Sequence, residues 1–159
     1  MSPANKSPEE ASETRFFATR KLSRDIVGPL TPEDMQVQAM EDASPTKWHL
    51  AHTTWFYETF VLAPHVDGYR VFDERFAYCF NSYYEAIGPR HARPQRGLLT
   101  RPTAEEIFSY RTFVDEALAE LFASGDAMRP EIAGLLELGR AHEQQHQELL
   151  VTDILHAFA

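Results

Sequence analysis

The chain has 159 residues, 43% hydrophobic and 12% aromatic, with a formal charge of −9. That length supports one domain with a buried core. The acidic balance argues against nucleic acid or an anionic membrane as the main partner. Cys79 is the only cysteine, so an intramolecular disulfide is excluded and a reducing, cytoplasmic setting is expected.

The N-terminal stretch "MSPANKSPEEASETR" is polar and acidic, without the apolar run of a signal peptide, and residues 1–8 are expected to form a disordered tail before a single domain over 9–159. No apolar run is long enough to span a membrane. A first helix is predicted from about Pro8 to Val27, with Phe16, Phe17, Leu22 and Ile26 facing the core and Pro29 closing it. In "LTPEDMQVQAM", Thr31 as N-cap and Pro32 at the first helical position predict a short helical turn.

"SPTKWHLAHTTWFYETFVLAP" predicts a second long helix, with Ser44 as N-cap, Pro45 at the first position and Pro64 ending it after Leu62. Helical period places Trp48, His52, Trp55, Phe56 and Thr59 on one face. Residues 64–101 form a connection with little helical period, and connections this long usually serve function or bind partners. In it, Cys79 reads as a small apolar filler rather than a nucleophile.

Thr103 and Glu106 make a capping box for a third long helix. Its core stripe is Ile107, Tyr110, Val114, Leu118 and Leu121, and Gly125 stops it. A last helix starts near Arg129 or Pro130. Leu135, Leu138, His142, His146, Leu149 and Asp153 fall along one stripe of it, expected to face the interior. Four long helices and no strand pair predict an all-α fold, an antiparallel four-helix bundle.

The last helix carries "HEQQH", a literal match to the zinc-protease pattern H-E-x-x-H. His142 and His146 lie one turn apart on the same face, so both can reach one cation at roughly 2.0–2.1 Å. The pair by itself is equally compatible with two core histidines satisfied by hydrogen bonds. His52, on the core face of the second helix, supplies a third imidazole from a facing helix, and burying three without a shared purpose is costly. His49 is a competing candidate on the flank of that helix, with a partly exposed polar residue as its plain reading.

A protease is disfavoured. Asp153 is the one downstream carboxylate on the right stripe and lies roughly 10 Å along the axis from His146, too far to share the ion. Glu143 points about 100° away from His142 and would act only through water. Glu148 points away from His146 and reads as a surface or outer-shell partner. Gln145, at the edge of the histidine face, could bond a ligand of the metal or be simply solvated. Three neutral imidazoles leave an octahedral ion open positions for substrate and a small molecule, as in non-haem iron sites; imidazole also suits zinc.

Three blocks, "SPTKWHLAHTTWFYETF", "FNSYYEAIGPRHARPQRGLLTRP" and "HEQQHQELLVTDILHAF", together resemble the N-terminal domain of the sulfoxide synthases of ergothioneine biosynthesis, over about residue 14 to the end. The resemblance implies a DinB-like four-helix bundle in which His52, His142 and His146 bind iron(II), with dioxygen as co-substrate. It implies that Gln145 helps hold N-α-trimethylhistidine, and that the reaction joins cysteine or γ-glutamylcysteine to its imidazole carbon and oxidises the sulfur. Arg90, Arg93 and Arg96, at three-residue steps in "GPRHARPQRG", suit the carboxylates of such a thiol, Arg93 and Arg96 foremost. Their plain reading is ordinary pairing with surface acids. The family also has a C-terminal domain, related to formylglycine-generating enzymes, that carries its catalytic Tyr. This sequence holds no such domain, so a partner domain in cis or in trans is expected, and a bundle without it is expected to expose apolar surface. The rival reading is a free-standing DinB-like thiol S-transferase that uses a divalent metal.

Overall fold

The computed structural model describes residues 6–159, and helix is the only regular structure among them. Residues 1–5 of the expected tail lie outside the described residues. Ser7 already caps the first helix: its hydroxyl accepts from the Glu10 N–H while the Glu10 carboxylate accepts from the Ser7 N–H. A reciprocal cap of this kind contributes about 1 kcal/mol.

Four long helices make the fold: α1 (Pro8–Val27), α2 (Thr46–Tyr57), α3 (Ala104–Ala123) and α4 (Pro130–Phe158). α2 packs against both α3 and α4, and α1 packs against α4. Side-chain pairs fix the directions. Phe16 of α1 meets Tyr57 and Phe122, while Arg20, one turn on, meets Thr54 and Asp115. So α2 and α3 both run against α1. Tyr57 also lies on Gly139, and His49 on His146, so α4 runs against α2 and alongside α1. Because α2 and α3 are parallel, residues 66–103 must cross back along the bundle. Bundles with one long crossover are an established variant of the four-helix plan.

The sequence placed most of the core correctly and some of it one position off. All five stripe residues of α3 are buried, and Thr103 with Glu106 forms the predicted capping box. Gly125 then takes the left-handed conformation (φ 82°) that glycine adopts without strain. In α1, Phe16 is buried but Leu22 is 49% exposed; Thr19, Arg20 and Ser23 occupy the inner face instead. In α4 the buried stripe is Ile132, Leu136, Gly139, Glu143 and Leu150, whereas Leu138 and Leu149 are 57% and 40% exposed. The contact line centres on Gly139 because only a residue without Cβ lets α4 approach the Tyr57 ring, and this turns the histidine stripe to the edge of the α2–α4 interface.

Three helix ends also differ from expectation. Pro45, not Ser44, is the N-cap of α2, its carbonyl accepting from the Trp48 and His49 N–H groups. The Ser44 hydroxyl is used elsewhere, as acceptor from Arg96. Beyond Tyr57 the helix continues through a π turn at Glu58–Leu62 and a last turn at Ala63–His65, so Pro64 sits inside the final turn rather than beyond the helix end. Thr31 and Asp34 do exchange hydrogen bonds, but the turn they brace is a short 3-10 helix, Asp34–Gln36, with Glu33 at its N-cap. No helix among the described residues is long and apolar enough to cross a membrane.

Between α1, α2, α3 and α4 lies a buried polar network. Glu143 is wholly buried and accepts from Arg20 (2.9 Å), Arg111 (3.0 Å) and Ser23 (2.7 Å); Arg20 also binds Asp115 at 2.7 Å. Two guanidiniums thus face two carboxylates. Burial opposes the charge of Glu143, but Arg20 and Arg111 outweigh it and hold the carboxyl below its usual range. Gln147 extends the network by donating to the Thr19 carbonyl and to Ser23.

Candidate metal centre

The middle of α2 and the middle of α4 face each other near the crossover. His52, His142 and His146 are brought together there, each offering one ring nitrogen, all within 4.8 Å of one another. The Nε2 atoms of His52 and His142 are 3.1 Å apart. Two ligands about 2.1 Å from a common ion, at roughly right angles, lie about 3 Å apart, so this spacing suits a shared cation.

Neighbouring hydrogen bonds fix which nitrogen His52 and His146 present. The Phe80 carbonyl can only accept, so His52 Nδ1, at 2.6 Å from it, carries the proton and Nε2 is left as a lone pair. The ring of His52 stacks on Trp48 (4.5 Å, 12°), whose indole N–H donates to the Cys79 carbonyl at 3.1 Å. His146 Nδ1 is 3.0 Å from His49 Nδ1, which leaves Nε2 as the nitrogen it can offer the cluster. His142 Nδ1 is buried with no partner.

All three imidazoles are held neutral. Burial lowers His52 to about 3, with His142 adding to the effect. Burial also lowers His142, and it lowers His146 strongly, reinforced by repulsion from His52 and His49. Neutral imidazole is the form that ligates, so the donor set fits a divalent ion without competition from protons. Three nitrogens from two helices leave coordination positions open toward the cavity.

That cavity, about 400 Å³, is lined by the three histidines, Trp48, Gln145 and Arg96, with Arg93 and Tyr83 at its rim. Arg96 is buried: its guanidinium lies 3.4 Å over the Trp48 ring and donates to the hydroxyls of Ser44 (2.9 Å) and Ser82 (3.1 Å). No carboxylate among the described residues pairs with it, and its Nε is unpartnered. Burial, then the nearby Arg93, brings its pKa down to about 10, so it stays charged at neutral pH. Arg93 is tied to the Asp42 carbonyl and to Tyr83 Oη. Arg90 lies over the Tyr83 ring at 5.3 Å, in a neighbouring depression rather than in the cavity. Gln145 is exposed at the cavity wall beside His142 and His146.

Two residues differ from their sequence reading. His49 is not a partly exposed flank residue but 4% exposed, its Nε2 2.7 Å from Asp153 Oδ2. Glu143 is closed off from solvent: the carboxylate that a zinc protease would use as base is locked between two arginines in the core. Glu148 is exposed on the outer face of α4. Burial raises the Cys79 thiol above its ordinary range, which suits a filler and not a nucleophile. A larger groove of about 730 Å³ lies near His65–Arg70 and α3, and gathers no ligand cluster among the described residues.

A search of the curated proteins finds no match to this chain. A family model does match, that of the DinB superfamily, over residues 15–150. An all-helical bundle with a three-histidine cluster on facing helices, matched over most of its length, belongs to the DinB superfamily.

Proposed function

We propose that this chain is the metal-binding helical domain of an oxygen-dependent, non-haem iron(II) sulfoxide synthase. Its substrates would be N-α-trimethylhistidine and a thiol, cysteine or γ-glutamylcysteine, in ergothioneine biosynthesis. One observation carries the reading. The three sequence blocks that resemble that family, far apart in the chain, converge on one cavity: His52 from the first, Tyr83, Arg93 and Arg96 from the second, His142, Gln145 and His146 from the third.

The reaction balances as an imidazole C–H, a thiol and dioxygen giving a C–S bond, a sulfoxide and one water. Iron(II), when bound by His52, His142 and His146, supplies the redox chemistry that couples dioxygen to sulfur–carbon bond formation. The neutral ligand set leaves room for an anionic thiol ligand without piling up negative charge. Arg96, charged and buried, with no acid paired to it among the described residues, would take the thiol substrate's carboxylate, with Arg93 at the rim. Gln145 offers an amide at the wall for the trimethylated substrate. The family's second domain, in cis or in trans, would complete the pocket and bring the catalytic Tyr.

The test begins with anaerobic loading. Protein reconstituted with iron(II) should carry about one iron per chain, and His52→Ala and His146→Ala should lose it. Adding a family C-terminal domain in trans, both substrates and oxygen should then yield the sulfoxide, read by mass spectrometry. Thiol transfer supported by zinc or nickel without oxygen would replace this reading with the S-transferase one. Absence of stoichiometric metal would sink both.

A further inference from the structure

We infer that Asp153 and His49 form a positioning relay that fixes the tautomer of His146 and aims its Nε2 lone pair at the metal. The inference rests on the reading of His146 as a ligand and extends it to two residues outside the three-histidine set.

The chain of atoms runs in one direction. Asp153 Oδ2 accepts from the Ser44 backbone N–H at 3.0 Å, which orients the carboxylate. The same oxygen lies 2.7 Å from His49 Nε2. An oxygen already accepting a backbone N–H is an acceptor here too, so His49 Nε2 carries the proton. In a neutral ring that leaves His49 Nδ1 as a lone pair. It faces His146 Nδ1 at 3.0 Å, and two lone pairs cannot meet at that distance, so His146 Nδ1 is the donor. The His146 proton is thereby placed on the nitrogen away from the cluster.

Metal-bound histidines are commonly held by a carboxylate or a carbonyl on the far nitrogen. His52 has the second kind, through Phe80. His146 has the first kind at one remove, with an imidazole interposed. The geometry explains why a histidine and an aspartate sit at this depth: His49 is 4% exposed, and among the described residues its neutral ring is the one side chain within ion-pair distance of Asp153. It also ties three elements together. Asp153 is two turns beyond His146 on α4, His49 is on α2, and Ser44 holds both the relay and, through its hydroxyl, Arg96.

The test compares the parent with Asp153→Ala, Asp153→Asn, His49→Phe and His52→Ala. In metal-free protein labelled at histidine nitrogen, two-bond ¹⁵N correlation should show His146 as the Nδ1–H tautomer. Asp153→Ala and His49→Phe should give a mixture or the Nε2–H form. Asp153→Asn keeps an acceptor and should retain the parent tautomer. Cobalt(II) affinity, measured by competition with a chelator, should fall about 10–100-fold in Asp153→Ala and His49→Phe, the range seen when such outer partners are removed. Asp153→Asn should fall between parent and Asp153→Ala. Circular dichroism confirms folding, and His49→Phe decides the matter should Asp153→Ala not fold. Unchanged tautomer and affinity in the relay variants, with cobalt lost in His52→Ala, would overturn the relay and leave the ligand set standing. A parent that takes up no cobalt would overturn both.

Discussion

Gly139 of α4 lies so close to Tyr57 of α2 that a Cβ at position 139 would stand 2.3 Å from Tyr57 Cε1 and 2.9 Å from Phe56 Cε1. Both rings are buried and packed, Tyr57 against Phe16 and Phe56 against His142, so neither can swing aside freely. Gly139→Ala is therefore expected to destabilise, despite alanine's better helix propensity, by about 1–3 kcal/mol as an overpacked core does. Thermal unfolding checks it. A rise in Tm would mean the helix spacing is not set at this contact.

Glu143 is the hub of the buried charge network. Its removal leaves Arg20 and Arg111 charged, buried and short of an acceptor, a loss of about 3–5 kcal/mol. Glu143→Ala should lower the denaturant midpoint sharply. Loading of any protein that still folds should remain near one metal per chain, because Glu143 points away from the histidine cluster. Peptide hydrolysis by the parent, lost in this variant, would restore the protease reading that the geometry disfavours.

The metal-free protein should be acid-sensitive well above the carboxylate range. His49, His52, His142 and His146 are all held below the ordinary imidazole value, burial first among the causes, with His52 at about 3. An unfolded histidine takes a proton near pH 6.5, so between that pH and the folded value the unfolded state binds more protons. Stability is fully present above about 6.5 and falls as pH drops toward 3. For His52 alone the loss from pH 6.5 to 5 is about 2 kcal/mol, at roughly 1.4 kcal/mol per unit. Denaturant titrations in chelator at pH 7.5, 6 and 5 check the slope; a flat profile over that range would contradict it.

Much of this was legible in the chain, and the failures share a cause. The α3 stripe and the histidine triad follow from the period of one helix at a time, and the sequence displays that period directly. The α4 stripe reads one position off because leucines occur on both its faces and a glutamate ordinarily signals surface. Glu143 becomes a core residue only through Arg20 and Arg111, 123 and 32 residues away. His49 reads as a flank residue for the same reason: its partner Asp153 belongs to another helix, and only the antiparallel pairing of α2 with α4 brings them to 2.7 Å. The directions of α2 and α3 were hidden because a long connection does not declare whether it returns or crosses.

Arg96 offers the sharpest separation of binding from stability. Its guanidinium is buried over Trp48 and bonded to two hydroxyls, yet no acid among the described residues neutralises it. A buried charge without a counter-ion does not stabilise a fold, and an apolar chain of similar length keeps the packing on the indole. Arg96→Met should thus leave Tm unchanged or raise it. In the reconstituted reaction it should raise KM for cysteine or γ-glutamylcysteine more than it lowers kcat, because it removes a contact to the substrate carboxylate and none to the ligands. A thiol of similar size without a carboxylate should be insensitive to the change. Equal loss with both thiols would show that Arg96 acts through Trp48 and His52 instead, and the cavity's anion-binding role would fall.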